Sequence, residues 1–456
     1  MAILPIDTGR YGTKEMLRIF DEENRLQTML DVEAALAWAH SEVGNIPRKD
    51  AKKIMETTSR KHIKLSRVKQ IESEIRHDVM AMVRALAEIC GSSGAYVHLG
   101  ATSSDILDTA TALQLKDALK LIEEKLNDFE TVLMNGAERY KKTIMMGRTH
   151  GQHALPITLG LKFAVWMRET ARHIQRIQEC SKRVVVGKMG GAVGTQAGLG
   201  SHATEIQKLA MKKLGVNIVD VSTQIVQRDR YAELICLLAV IASTLDKIST
   251  EIRQLQRTEI GEVFEFFEKE RQVGSSTMPH KRDPQTCETI CGLAKIMRSL
   301  VAPALENIPT WHERDMTQSS AERFIIPQAC ILVDHMLFLM TEVLTTLHID
   351  EEKMLRNMKL TQGRMMSEAV MLALTRKGMN RQKAHELVRK LAMKSHIEKS
   401  LFKTSLSEDR IIRDMLGEGE VNKALNPENY LGTAVRQVEQ AVKKTKQERK
   451  ARGLTD

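Results

Sequence analysis

"LICLLAVIASTLDKISTEIRQL", residues Leu234–Leu255, decides how this chain has to fold. Its apolar positions Leu234, Leu238, Ile241, Leu245, Ile248, Ile252 and Leu255 recur at alternating intervals of four and three. That is the period of one face of an α-helix. Neither Gly nor Pro occurs between Val216 and Ile260, so the spacing predicts one helix of about 36 residues, roughly 54 Å long at the α-helical rise. A small domain cannot cover an apolar seam of that length. The helix has to lie against others like it.

The same alternation runs through Leu115, Leu119, Ile122, Leu126, Phe129 and Leu133. After Pro327, "QACILVDHMLFLMTEVL" is apolar on nearly every face and predicts a fully buried helix. To either side the segments are shorter and more polar. The expected architecture is all-α, with an N-terminal helical domain over 1–104, a central bundle of long helices over 105–350 and a C-terminal helical domain over 351–456.

Composition agrees with this reading. The chain has 456 residues, of which 42% are hydrophobic, 28% charged and only 4% aromatic, with 25 Met and 9 Pro, a soluble and helix-rich balance. No run approaches the roughly 18 apolar residues that span a bilayer, and "MAILPIDTGRYG" lacks the features of a signal peptide. No membrane partner is expected. Cys90, Cys180, Cys236, Cys287, Cys291 and Cys330 are scattered without a C-x-x-C pair, which fits reduced thiols and a cytoplasmic location. The net charge of +10 calls for an acidic partner, either nucleic acid or a small polyanionic substrate. Much of the excess lies in "AVKKTKQERKARGLTD", which reads as a solvated, frayed end.

Polar islands punctuate the helices. "RVVVGKMGGAVGTQAGLGSHA" (183–203) contains Gly198-x-Gly200-x-x-Ala203, a relaxed dinucleotide fingerprint, but lacks the alternating strands and helices of such a domain. It reads better as a loop between bundle helices. "RTHGQHALP" (148–156) sets His150 and His153 three apart. A metal site would need a third ligand that is not evident; acid–base work and a purely local hydrogen-bonding role both stay open. "HLGATSSDILDT" (98–109) offers Thr102, Ser103 and Ser104 as helix caps, and with them an anion site on free N–H groups. "RHDV" (76–79) and "WHERDMTQSSAER" (311–323) bring arginines, natural partners of carboxylates and phosphates, beside hydroxyls and histidines. "GSSTMPHKRDP" (274–284) carries no apolar period and reads as a mobile polar run ending in positive charge.

The last of these resembles the signature loop of the fumarase/aspartase superfamily. "TSSDILDT" and "THGQHALP" resemble that superfamily's other two signature regions, in the expected order. Within it, Arg10–Tyr11, "RHD", "THGQHA", "PHKR" and "HERD…SSAER" are similar to the adenylosuccinate lyase family. Carboxymuconate-type cycloisomerases share Pro-His-Lys-Arg and are the nearest rival. The resemblance implies a β-elimination that releases fumarate from a small anionic nucleotide substrate, with no metal and no cofactor. It implies a homotetramer whose signature regions meet at subunit junctions.

By similarity Ser275 is the base, an alkoxide supported by Lys281 and the loop's N–H groups. His150 is the general acid, with Glu288 orienting its ring, and His77 contacts the phosphate or succinyl end. Arg10, Tyr11, Thr102, Ser103, Gln224, Arg314, Ser319, Ser320 and Arg323 resemble phosphate- and carboxylate-binding positions, with Arg76, Asp78 and Ser276 beside them. Two departures stand out: Asp283 replaces a common Asn, and Thr289 a common Arg or Asn. The competing reading, a basic helical nucleic-acid-binding protein, is disfavoured because so few aromatics are available for base stacking.

Overall fold

The computed structural model describes residues 3–268 and 273–454. Four long helices dominate it: Ser103–Arg139, Leu159–Val184, Asp229–Gln256 and Thr317–Thr346. Along the third, no seam residue from Leu234 to Leu255 is more than 3% exposed. Along the first, none from Leu115 to Leu133 exceeds 2%. The alternation of fours and threes therefore marks the buried faces.

The third helix is shorter than its spacing predicts. It starts at Asp229 and has 28 residues, about 42 Å at the α-helical rise. The preceding stretch has no Gly or Pro, but tertiary bonds keep it out of the helix. Asn217 and Ile218 pair with Val186 and Gly187 as short parallel strands. Further on, the Val226 N–H donates to Asp108 Oδ2 at 2.8 Å. Tertiary context overrides propensity here.

The fourth helix is long and apolar enough to cross a membrane by length and composition, but 61% of its most apolar window is buried within the protein, as expected of a core helix. Asp334 at its middle is fully buried, ion-paired to Lys125 at 2.6 Å and hydrogen-bonded by Thr13. This is how a core helix tolerates a charge.

The chain forms two compact units. One comprises Met1–Asn127, His173–Asp246 and Thr289–Leu339; the other comprises Asp128–Arg172, Lys247–Glu288 and Met340–Asp456. Each is cross-tied between its long helices. In the first unit the Gln178 amide donates to Glu123 at 2.6 Å, and His173 Nε2 lies 2.8 Å from Thr244 Oγ1. In the second, Lys162 reaches Glu251 at 2.7 Å.

Strand is confined, among the described residues, to three two-stranded pairings. The largest, in the second unit, is an antiparallel hairpin of Ile144–Thr149 with Gln152–Thr158. His150 and Gly151 form its turn at φ +54 and φ +73. Positive φ at both turn residues is the type I′ geometry that matches strand twist. The register slips between Met146 and Arg148. A Cβ at Gly147 would stand 2.7 Å from the Leu155 carbonyl oxygen, so only glycine fits there.

The basic tail is not frayed. It forms a helix, Ala434–Ala451, that buries Val438, Val442 and Thr445 within the second unit. Glu130, with no exposed surface, takes Arg449 Nη1 at 3.3 Å and also Arg452. Arg168 forks Glu448 at 2.6 and 2.9 Å. Valines four residues apart supply an apolar face that the surrounding lysines mask in the sequence. Replacing Glu130 by Ala leaves two arginines without their buried partner. Limited trypsin digestion is expected to spare the docked helix Ala434–Ala451 in the parent, because packed backbone resists proteolysis, and to trim it from Glu130→Ala. Equal trimming of both proteins would refute the docking.

Candidate active site

In the first unit, the segment before the Ser103–Arg139 helix is fixed by one buried carboxylate. Asp105 is fully buried and accepts from the Thr102 N–H at 2.9 Å, the Gly190 N–H at 2.7 Å and the Gly191 N–H at 2.9 Å. Lys188, also fully buried, is its ion-pair partner. The glycine-rich loop thus commits the Gly190 and Gly191 amides to the protein's own carboxylate, and at the fingerprint positions the Gly200 and Ala203 N–H groups donate to the Ala197 and Gly200 carbonyls. Its reading as a nucleotide loop is set aside for that reason. A second buried pair lies just upstream. His98 Nδ1 sits 2.6 Å from Glu33 Oε1, and the His98 N–H donates to Glu33 Oε2 at 3.1 Å. Burial pulls the imidazole pKa down, but the Glu33 hydrogen bond and charge outweigh it, and the net shift is upward.

Beside this segment lies a cleft of about 170 Å³. Ser104 and Asp108 line it from the first long helix, Gln318, Ser319 and Arg323 from the fourth, with Arg25 and Arg314 adjoining. Two of the sequence islands are thereby brought together. A third joins them, because Asp78 accepts from Arg323 Nη2 at 2.7 Å. Burial pushes the Asp78 pKa up, but the Val79 N–H and Arg323 outweigh it and hold the carboxyl below its usual range. His77 caps the Asp78–Cys90 helix through Nδ1, and Arg76 stands exposed at its entry with φ +56. Gln224 accepts from Arg314 Nη1 at 2.9 Å and donates to the Ala192 carbonyl at 2.7 Å.

Arg228 in the same cleft is a structural cation. It donates to both oxygens of Asp108 at 3.0 Å and to Glu322 at 2.7 and 3.0 Å, and is 6% exposed. Arg10 and Tyr11 are not part of the cleft. Arg10 is exposed, and the Tyr11 ring lies 5.7 Å from that of His335. His335 is 12 positions beyond Arg323 on one helix, about 18 Å at the α-helical rise. Ser103 begins its helix, and Ser320 is exposed outside the cleft lining.

In the second unit the hairpin turn presents His150 exposed. The hairpin is anchored by Arg148, whose guanidinium forks Glu262 at 2.9 and 2.6 Å. Glu262 is fully buried and also accepts from Asn357 at 2.8 Å. His153 faces inward, and burial together with the Arg148 charge pushes its pKa down. Within one chain, no hydrogen bond among the described residues joins His150 to Glu288. Glu288 instead faces Arg253 at 4.0 Å. No group of three His, Cys, Asp or Glu among the described residues gathers closely enough to hold a metal ion.

The 274–284 loop folds back on itself. A Cβ on Gly274 would come within 2.0 Å of the Lys281 carbonyl oxygen, so glycine alone permits the crossing. Half-buried Ser275 accepts at Oγ from the Thr277 N–H at 3.3 Å and the Met278 N–H at 3.0 Å. Ser276 is exposed, and Lys281 Nζ lies 3.3 Å from Asp283 Oδ1. The unusual Asp283 therefore engages the lysine expected to support Ser275.

Sequence reading missed Asp105, Lys188, Asp108, Arg228, Arg25 and Gln318. Their partners lie far off in the chain, 83 positions in the case of Asp105 and Lys188. The only local hint was Asp105 in "TSSD", which reads equally well as a cap.

Comparison with known proteins adds to this geometry. The lyase family model matches residues 9–297, and the model for the adenylosuccinate lyase C-terminus matches residues 363–441. The chain is 53% identical over 454 residues to adenylosuccinate lyase of Pyrococcus horikoshii, covering 100% of both. It is 47% identical over 447 residues to that of Methanocaldococcus jannaschii, covering 98% of this chain and 96% of the relative. Among solved structures, 3-carboxy-cis,cis-muconate lactonizing enzyme from Pseudomonas putida superimposes with a TM-score of 0.90 at 32% identity, covering 98% of this chain and 100% of that one. The cycloisomerase rival thus shares the fold. The higher identity to adenylosuccinate lyases, together with the C-terminal match, decides between the two.

Asp105→Ala would strand the Lys188 charge, a loss of roughly 3–5 kcal/mol for a broken buried pair. A large drop in the thermal melting temperature is expected. Lys188→Met in the same background is expected to recover part of it, because no unpaired charge then remains. A double variant no more stable than Asp105→Ala would show that the pair is not what holds this segment.

Proposed function

The chain belongs to the adenylosuccinate lyases, within the fumarase/aspartase superfamily, and from that membership we propose how its side chains carry the reaction. The reaction is β-elimination: fumarate leaves adenylosuccinate to give AMP, and leaves the succinyl-carboxamide ribotide in purine biosynthesis. A base takes the proton next to a carboxylate, the electron pair forms the C=C bond, the C–N bond breaks, and an acid protonates the departing nitrogen.

Ser275 is the base. The observation that carries this is the pair of N–H groups, from Thr277 and Met278, aimed at its Oγ. Such fixed dipoles stabilise an oxygen as it becomes negative, which a serine needs if it is to act as an alkoxide. Lys281 adds positive potential that Asp283 partly offsets. His150 is the acid, and its place on an anchored hairpin turn leaves its ring free to meet the leaving nitrogen. The phosphate is bound by Arg314, Ser319 and Arg323.

The enzyme is a cytoplasmic homotetramer packed through its long helices, and each site draws its signature regions from different subunits. Glu288 then orients a His150 from another copy, which accounts for the lack of a hydrogen bond between them within one chain. Arg10 and Tyr11 serve the phosphate of a neighbouring site in the same way.

Purified protein incubated with adenylosuccinate is expected to release fumarate and AMP in equal amounts. Ser275→Ala is expected to lower kcat by at least about a hundredfold, the scale of a lost acid–base group, with little change in ground-state affinity. A variant with near-parental kcat would move the base to Ser276 or to a histidine.

A further inference from the structure

The cleft of the first unit holds polar atoms that the protein does not satisfy. Gln318 is 1% exposed and lines it, yet its side-chain Oε1 is buried without a hydrogen-bond partner. Arg314 Nε, in the same lining, is likewise buried and unpartnered. The Arg25 guanidinium has no hydrogen bond or salt bridge among the described residues, and burial, joined by the nearby Arg323 charge, pushes its pKa down. Of the carboxylates whose charge acts on it, Glu22 is taken by Lys69 and Asp78 by Arg323, while Glu72 acts from beyond ion-pair distance; Asp108 and Glu322 in the same cleft are held by Arg228. Buried polar groups are normally satisfied, and each exception asks for an explanation. Here the explanation is a ligand bearing an anionic group and, next to it, a neutral polar group.

The chemistry of the neutral group follows from the amide. Its oxygen and nitrogen exchange places on a half-turn of the terminal bond, and only the surrounding partners fix which way it points. A hydroxyl both donates and accepts, so it satisfies Gln318 in either orientation. A carboxylate or phosphate oxygen would suit only the NH₂ group. Ser319 and Arg323, the phosphate positions of the proposed reading, lie one and five residues further along the same helix. A hydroxyl that reaches Gln318 must therefore sit close to the phosphate.

Resting on that phosphate reading, we infer that Gln318 reads a sugar hydroxyl of the phosphorylated substrate, with Arg25 sharing the grip on its phosphate. Gln318 makes the enzyme select ribosyl over deoxyribosyl substrates. Arg25 supplies affinity without selecting between them.

The test compares kcat/KM for adenylosuccinate and for its 2′-deoxy and 3′-deoxy analogues. Each ratio is measured on one preparation, so it does not depend on how much of that preparation is folded. The parent is expected to discriminate against one analogue by about tenfold or more, the cost of leaving a buried polar group unpaired. Gln318→Met, similar in size but unable to pair with a hydroxyl, is expected to bring that ratio close to one. Failure of the parent to discriminate, or discrimination that survives in Gln318→Met, would overturn the assignment of Gln318. Arg25→Gln tests the phosphate seat separately. It is expected to raise KM severalfold for all three substrates and leave their ratio intact. An unchanged KM would overturn the phosphate reading beneath the inference, whatever the hydroxyl ratios show.

Discussion

A seam of leucine and isoleucine at alternating fours and threes cannot be left in water, and burying it constrains everything else in this protein. Seven such residues line the third long helix, none more than 3% exposed. At roughly 1.5–3 kcal/mol for each large apolar side chain buried, that one face outweighs any single polar contact described here. The helices are therefore scaffold, and chemistry is left to their ends and to the segments that connect them. The cleft sits where two long helices begin, while His150 and Ser275 sit on a turn and a loop.

Most polar groups inside such a scaffold are satisfied. Asp105 illustrates the rule: it is wholly buried, yet three backbone N–H groups and Lys188 meet it. Arg228 between Asp108 and Glu322, and Arg148 on Glu262, follow the same pattern. Among the buried side-chain atoms left without a hydrogen-bond partner, those of Gln318 and Arg314 are the ones that line the cleft.

Much of this was legible in the sequence and some was not, for identifiable reasons. Periodicity revealed the long helices because the apolar face repeats locally. It overran the start of the third helix, since nothing local in 217–228 announces that Asp108 will capture Val226 and Arg228. The hairpin at 144–158 was missed because Gly147 and Pro156 disguise its strands, although His150–Gly151 is the kind of pair that favours a type I′ turn. The tail was misread because its lysines hide Val438 and Val442. The motifs that hold the candidate site residues were legible, but neither the capture of Lys281 by Asp283 nor the approach of Glu288 to Arg253 could be foreseen. Both depend on three-dimensional placement.

On the proposed reading, this scaffold assembles its acid and base from different copies of the chain. Subunit mixing tests it most directly. His150→Ala and Ser275→Ala enzymes, each nearly inactive, are dissociated, mixed in equal amounts and reassembled, and hybrid formation is verified by native mass spectrometry. With one residue drawn from each of two chains in a closed oligomer, random mixing restores about a quarter of the sites. Fumarate release at about that fraction of the parental rate is the predicted result. Hybrids confirmed by mass that release no fumarate would contradict the account, because acid and base would then belong to one chain.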